Sequence, residues 1–283
     1  MIPAGFDYVA PATLDEALAA LAGSDDAKVL AGGQSLMPVL RLRLASPGLI
    51  VDLGKIDELR GVREDGDSLV IGAMTPHAVV ASDPLVAEHA KLLTLATATI
   101  GDPQIRHRGT FGGSLAHADP AADLPPANVA LGTEMVIAGQ SGRRTVAAAD
   151  FFTDIFTTAL GEDDVLVEIR VPKHTGWGAH YEKFSRTAQA WSIAGVAAAV
   201  RMDNGTIAEA KVALANMGAT PVRATAVEQA LIGQPATDEA IRAAAASAAE
   251  GTDPPSNLDG DADYRRHLAT VLTRRAVLAA ATA

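Results

Sequence analysis

Two pairs of adjacent glycines, the first of them just before a predicted helix, constrain this chain more than any other feature. The first is in Ala31-Gly32-Gly33-Gln34-Ser35, which follows a predicted strand at 28–31 and precedes helix-like spacing from Leu36 to Leu40. Backbone without side chains lets amide N–H groups converge on an anion, and a diphosphate would fit there. The alternative is that the two glycines only form a tight turn.

The second pair, Gly112-Gly113, lies within a stretch that is dense in glycine and proline, from 101 to 126. That density predicts a long functional loop. Within it, Thr110-Phe111-Gly112-Gly113-Ser114 offers hydroxyl and amide donors for phosphate or ring oxygens. Arg106 and Arg108 are either phosphate clamps or ordinary salt-bridge partners.

An acidic segment, Ala118-Asp119-Pro120-Ala121-Ala122-Asp123, follows directly. A carboxylate there can accept hydrogen bonds from ribose hydroxyls or from a cofactor ring. The trio His117, Asp119 and Asp123 is alternatively a metal site, although it lacks a helical His-Glu-x-x-His pattern. The other histidines, His77 among them, are scattered and are predicted to be surface or hydrogen-bonded residues rather than catalytic bases.

Composition excludes several classes of function. The chain has 283 residues, 48% of them apolar, which is enough for two or three subdomains with their own cores. It has no cysteine, so any cysteine-held iron–sulfur cluster must lie on a partner. A net charge of −11 argues against nucleic-acid binding. The sequence also shows no signal peptide or membrane span, and the expected location is the cytoplasm.

Hydrophobic periodicity divides the chain into three predicted parts, at 1–54, 55–175 and 176–283. The first is a small α/β unit. The second has strands at 69–73 and 165–171 with helical runs at 76–80 and 85–99. The third has strands at 179–185, 193–202 and 207–215 followed by helices at 238–250 and 264–281, an order typical of an α+β domain.

In their order and spacing, these motifs resemble those of the medium, FAD-binding subunits of molybdenum hydroxylases, the xanthine dehydrogenase family. The nearest branch is that of carbon monoxide dehydrogenase. The resemblance extends over essentially the whole chain. It implies an α+β fold: a two-part FAD-binding domain of the vanillyl-alcohol-oxidase (PCMH) type, then a C-terminal α+β domain with a small antiparallel sheet and helices. It also implies a non-covalently bound FAD.

The resemblance carries the family's flavin-binding positions onto this sequence and implies neither a catalytic residue nor a metal ligand. Gln34 stands where the nearest branch has a histidine. Trp191 stands where that branch has a tyrosine against the flavin; its indole can stack on the ring, or it is a core aromatic. The implied cofactor contacts are Ala31, Gly32, Gly33, Gln34, Ser35, Thr99, Ile100, Asp102, Thr110, Phe111, Gly112, Gly113, Ser114, Asp123, Leu166, Lys183 and Trp191.

The implied function is electron transfer. In such complexes, electrons pass from a molybdenum cofactor in a large subunit, through 2Fe–2S clusters in a small subunit, to FAD and an external acceptor. A dimer of heterotrimers is the expected assembly. Two alternatives are a self-sufficient flavoprotein oxidase or reductase and a scaffold subunit that has lost its flavin. The sequence indicates neither the substrate nor the acceptor.

Overall fold

A computed structural model describes residues 2–283, and a three-stranded parallel sheet with strand order β1-β3-β2 begins the fold. Helix α1 packs on this sheet through Leu14, Ala17, Leu18 and Leu21, the face that the sequence predicted. The elements of this part are β1 (Asp7–Val9), α1 (Leu14–Ala22), β2 (Ala27–Leu30), α2 (Leu36–Arg41) and β3 (Leu49–Asp52).

A five-stranded antiparallel sheet with strand order β4-β5-β10-β6-β7 forms the second part. Short helices cover it, and their apolar side chains and those of the sheet form one core. The elements are β4 (Val62–Asp65), β5 (Ser68–Gly72), α3 (His77–Val80), α4 (Pro84–His89), α5 (Lys91–Ala98), α6 (Pro103–Arg108), α7 (Phe111–His117), α8 (Leu124–Leu131), β6 (Glu134–Gly139), β7 (Gly142–Ala147), α9 (Ala148–Phe151), β8 (Phe152–Asp154), β9 (Thr157–Thr158) and β10 (Val165–Pro172).

The stretch from 101 to 126 is not the long loop that its composition predicted. It holds α6, α7 and the start of α8. The Asp102 carboxylate accepts the Ile105 N–H at 2.9 Å, and Pro103 occupies the first helical position. Proline is common at the first position of a helix and glycine is common near helix caps. A stretch dense in both residues can therefore consist of short helices, as it does here, and the loop prediction was wrong. The predicted helical run at 85–99 is likewise two helices, separated at Ala90.

The C-terminal part is a four-stranded antiparallel sheet, β11-β12-β13-β14, followed by helices, as the sequence predicted. The helix expected at 238–250 ends at Ala245, and the sequence reading missed α8, α10 and the β6–β7 hairpin. The elements are β11 (Gly178–Phe184), β12 (Ala194–Asp203), β13 (Thr206–Ala215), β14 (Val222–Arg223), α10 (Thr225–Leu231), α11 (Asp238–Ala245) and α12 (Ala262–Ala281).

Both faces of this C-terminal sheet are covered. Alternate residues of β12 face opposite sides: Ala197 and Ala199 join the core of the second part, while Val196 and Ala198 join a core with α12. The Asn216 N–H also donates to the Pro120 carbonyl at 2.8 Å. The C-terminal part is therefore packed against the acidic segment at 118–123. No helix within residues 2–283 is long and apolar enough to span a bilayer.

His77 is neither a surface residue nor fully hydrogen-bonded, contrary to expectation. It is 4% exposed, and its Nδ1 has no partner among residues 2–283. The backbone N–H of His77 donates to the Gly109 carbonyl at 2.9 Å, and the His77 ring lies against Gly109. Burial, with a smaller effect of Arg106, lowers the pKa of His77 to about 4. The ring is therefore neutral in the folded protein.

We expect His77 to make the fold sensitive to acid. Its pKa is about 4 when folded against 6.5 ordinarily, so below pH 6.5 the unfolded chain binds a proton that the folded chain does not. Stability should be fully present above pH 6.5 and fall by about 3 kcal/mol towards pH 4. Urea unfolding of wild type and His77→Gln at several pH values measures the difference. The exposed His267→Gln should keep the wild-type slope, and parallel curves for wild type and His77→Gln would contradict the assignment.

Candidate cofactor site

The two glycine loops are in direct contact, although 75 residues lie between Gly33 and Gly109 in the sequence. A Cβ atom on Gly32 would lie 2.6 Å from the Gly109 Cα, and would also overlap the Arg108 carbonyl. A Cβ atom on Gly113 would lie 3.2 Å from the Ala31 Cβ. Only glycine permits this approach at position 32. The loops therefore form one continuous surface.

The first loop has free backbone donors. Across residues 2–283, the N–H groups of Gly32, Gly33, Gln34 and Ser35 meet no protein acceptor, and the Ser35 hydroxyl makes no capping bond. Gly33 has φ +75°, which turns the chain between β2 and α2. Gln34 is exposed and its neighbours are half-buried. These amides can therefore bind an anion from solvent.

Three amides of the second loop, those of Phe111, Gly112 and Gly113, are occupied, contrary to the expectation that both loops offer them. The Phe111 N–H donates to the Thr75 carbonyl at 2.9 Å and the Gly112 N–H to the Ala73 carbonyl at 2.8 Å. The Gly113 N–H donates to Thr110 Oγ1 at 3.2 Å. These bonds form because α7 begins here and is seated on the end of β5. What the second loop presents is the Ser114 hydroxyl, which has no partner within the described chain, and a surface without side chains.

Leu166 lies beneath α7 rather than in the loops. It is 5% exposed on β10, beside a register shift between Leu166 and Glu168. The carbonyl of the next residue, Val167, accepts the Ala73 N–H at 2.9 Å. The Ala73 carbonyl in turn accepts the Gly112 N–H of α7. Leu166 thus supports the helix that carries the second loop.

Asp123 is the centre of a buried polar network. Its Oδ1 accepts the Tyr181 hydroxyl at 2.8 Å and the Ser192 hydroxyl at 2.9 Å. Its Oδ2 accepts the Lys183 ammonium at 2.8 Å. The Asp123 and Lys183 side chains are only 4% and 10% exposed, so this is an ion pair largely removed from water.

The C-terminal part supplies three of the four groups in this network. Tyr181 and Lys183 are two residues apart on β11 and so share a face. Burial, reinforced by Asp123, raises the pKa of the Tyr181 phenol well above its ordinary value, which keeps it a donor. Sequence reasoning named Lys183 and missed Tyr181 and Ser192. The alternation of the strand was the signal that pointed to Tyr181.

Thr99, Ile100 and Asp102 lie next to this network. Lys183 Nζ also donates to the Thr99 carbonyl at 3.3 Å. The Arg106 guanidinium donates one N–H to the Ile100 carbonyl at 2.7 Å, which anchors its side chain to this segment. Asp102 Oδ2 accepts the Gln189 side chain at 3.1 Å, which ties this segment to the connection between β11 and β12.

Trp191 lies in that same connection and is not a core aromatic. Its side chain is 55% exposed, and it precedes Ser192, which contacts Asp123. It makes no hydrogen bond within residues 2–283, so the indole is accessible to a ligand.

The alternative metal site at His117, Asp119 and Asp123 does not form. The described residues include no cluster of three such side chains that could hold a metal ion. Both Asp123 oxygens accept hydrogen bonds within the network, and Asp119 Oδ1 accepts the Ala121 N–H at 2.9 Å. The His117 ring packs instead on Phe156, with centroids 5.1 Å apart, and burial lowers its pKa.

Comparison with known proteins identifies the family. Residues 4–174 match the FAD binding domain in molybdopterin dehydrogenase, and residues 179–280 match the CO dehydrogenase flavoprotein C-terminal domain. The chain is 43% identical to the carbon monoxide dehydrogenase medium chain of Hydrogenophaga pseudoflava, covering 99% of this chain and 98% of that one. It is 37% identical to the glyceraldehyde dehydrogenase medium chain of Sulfolobus acidocaldarius, covering 98% of each.

A solved carbon monoxide dehydrogenase from Hydrogenophaga pseudoflava, lacking the Mo-pyranopterin moiety of its cofactor, superposes with a TM-score of 0.96 at 45% identity. The match covers 99% of this chain and 98% of that one. These likenesses confirm the α+β fold with its FAD-binding and C-terminal domains. The chain therefore belongs to the FAD-binding medium subunits of the molybdenum hydroxylases, an oxidoreductase family that includes carbon monoxide and xanthine dehydrogenases.

Proposed function

We propose that the first glycine loop binds the FAD diphosphate and that the second loop closes one side of the same site. The observation that carries this proposal is the set of four unbonded N–H groups from Gly32 to Ser35, directly beside the second loop. Charge-assisted bonds from amides to phosphate oxygens are stronger than bonds between neutral groups. The hydroxyls of Ser35 and Ser114 add donors on either side.

The flavin ring then lies towards the Asp123 network and Trp191. An ammonium group has three N–H donors, and Lys183 uses two of them on Asp123 and Thr99. The third is available to a flavin oxygen or nitrogen. The exposed Trp191 indole offers a flat apolar surface against which an aromatic ring can stack.

Electron transfer is the function that this arrangement supports best. When bound, the flavin would supply the redox chemistry, between the molybdenum cofactor and 2Fe–2S clusters of partner subunits on one side and an external acceptor on the other. The chain has no cysteine, so thiolates of partner subunits hold those clusters. A small iron–sulfur subunit and a large molybdenum subunit complete the complex, in a dimer of heterotrimers.

The substrate is set on another chain. Two relatives are subunits of dehydrogenases for different compounds, carbon monoxide and glyceraldehyde, yet both align along nearly their whole length with this chain. This subunit therefore serves an interchangeable electron-transfer role. We assign it no substrate.

Gly33→Val should empty the flavin site. A branched side chain at φ +75° strains the turn and covers the loop amides, with its Cβ 3.2 Å from Met37 Cγ. The matched control is Gly205→Val, which has a similar φ of +82° but lies in open space at the β12–β13 turn. Flavin absorbance per mole of chain should fall at least about tenfold for Gly33→Val alone. Full occupancy in that variant would refute the loop assignment.

The partnered function makes a second prediction. A complex purified with its native partners should contain molybdenum, iron and FAD together. The isolated chain should hold FAD that dithionite reduces but that small organic substrates or carbon monoxide do not, because the oxidising centre is absent. Substrate-driven bleaching of the isolated chain would instead identify a self-sufficient flavoenzyme.

A further inference from the structure

Two hydroxyl groups saturate one oxygen of Asp123. A carboxylate oxygen has two lone pairs, and Oδ1 receives Tyr181 at 2.8 Å and Ser192 at 2.9 Å. Asp123 Oδ2 is left to Lys183 alone among the residues described. Each oxygen therefore has its own kind of donor, neutral on one side and charged on the other.

The C-terminal part holds both hydroxyls in place. The Ser192 carbonyl accepts the Asn216 side chain at 2.7 Å, and the next carbonyl, that of Ile193, accepts the buried Arg265 guanidinium. Tyr181 is paired with Ala197 in the ladder of β11 and β12. Its ring is 6% exposed. Tyr181 is thus fixed on a strand, and Ser192, in the connection between β11 and β12, is held by Asn216 and by Arg265 of α12.

We propose that Tyr181 and Ser192 are positioning residues of the flavin site, which act through Asp123 on the Lys183 ammonium. The inference rests on the proposed placement of the flavin. Two neutral donors on Oδ1 disperse the carboxylate charge, so Asp123 orients Lys183 without fully neutralising it. The ammonium keeps one N–H and a net positive field for the ring.

Removing either hydroxyl should change the flavin without emptying its site. Asp123 with fewer donors attracts the ammonium more strongly, so the positive field at the ring weakens. Because reduction adds negative charge to the flavin, its reduced form loses more stabilisation than its oxidised form. The midpoint potential should then become more negative.

The test uses the purified full chain loaded with FAD, in the variants Tyr181→Phe and Ser192→Ala. Redox titration gives the midpoint potential, absorbance the flavin content and thermal unfolding the stability. Matched controls are Tyr264→Phe, whose hydroxyl makes no hydrogen bond among residues 2–283, and Ser185→Ala, whose hydroxyl bonds only the Thr187 carbonyl. In each test variant the equilibrium between oxidised and reduced flavin should shift about tenfold towards the oxidised form. For a two-electron couple this shift lowers the midpoint potential by about 30 mV. The controls should match wild type.

Two other outcomes are decisive. If both test variants lose stability but keep the wild-type potential, the hydroxyls are merely structural and the inference is wrong while the flavin site stands. The variant Asp123→Asn tests the placement of the flavin itself. If the flavin lies at this network, Asp123→Asn should alter both the flavin content and the midpoint potential. If Asp123→Asn leaves both unchanged, the flavin does not lie at this network, and the placement fails together with the inference.

Discussion

The close approach of Gly32 to the backbone of Arg108 and Gly109 is the contact on which the site depends. It joins the parallel sheet of the first part to the helices over the antiparallel sheet of the second. A side chain at Gly32 would push these parts away from each other. The neighbouring loop uses none of the loop amides from Gly32 to Ser35, which have no protein acceptor among residues 2–283.

The Asp123 network is the second contact on which the site depends, because it connects the second part of the chain to the C-terminal part. Asp123 begins α8, whereas Tyr181, Lys183 and Ser192 come from the C-terminal part. Removing two charges from water is costly, and further hydrogen bonds from two hydroxyls and to one carbonyl support the pair here. Such a network fixes the relative position of two domains closely. It also places one ammonium at the start of α8, next to the segment that holds Thr99.

Much of this arrangement could be predicted from the sequence. The strand before Gly32, the buried face of α1 and the strand pattern after Gly178 follow from local periodicity, which short-range forces dictate. The helices between 101 and 126 were missed because proline and glycine mark helix ends as well as loops. The bonded amides of Phe111 and Gly112, and the part played by Ser192, depend on contacts between distant segments, which no local pattern encodes. The domain limits and the individual flavin contacts remain predictions.

The most direct measurement of the central claim is hydrogen exchange of the loop amides with and without FAD. Unbonded and half-exposed N–H groups exchange fast, and phosphate oxygens that accept them would slow the exchange. The account predicts that FAD protects the segment from Gly32 to Ser35 strongly, while Phe111 and Gly112, already bonded within the protein, change little. Unchanged exchange from Gly32 to Ser35 on binding FAD would contradict it.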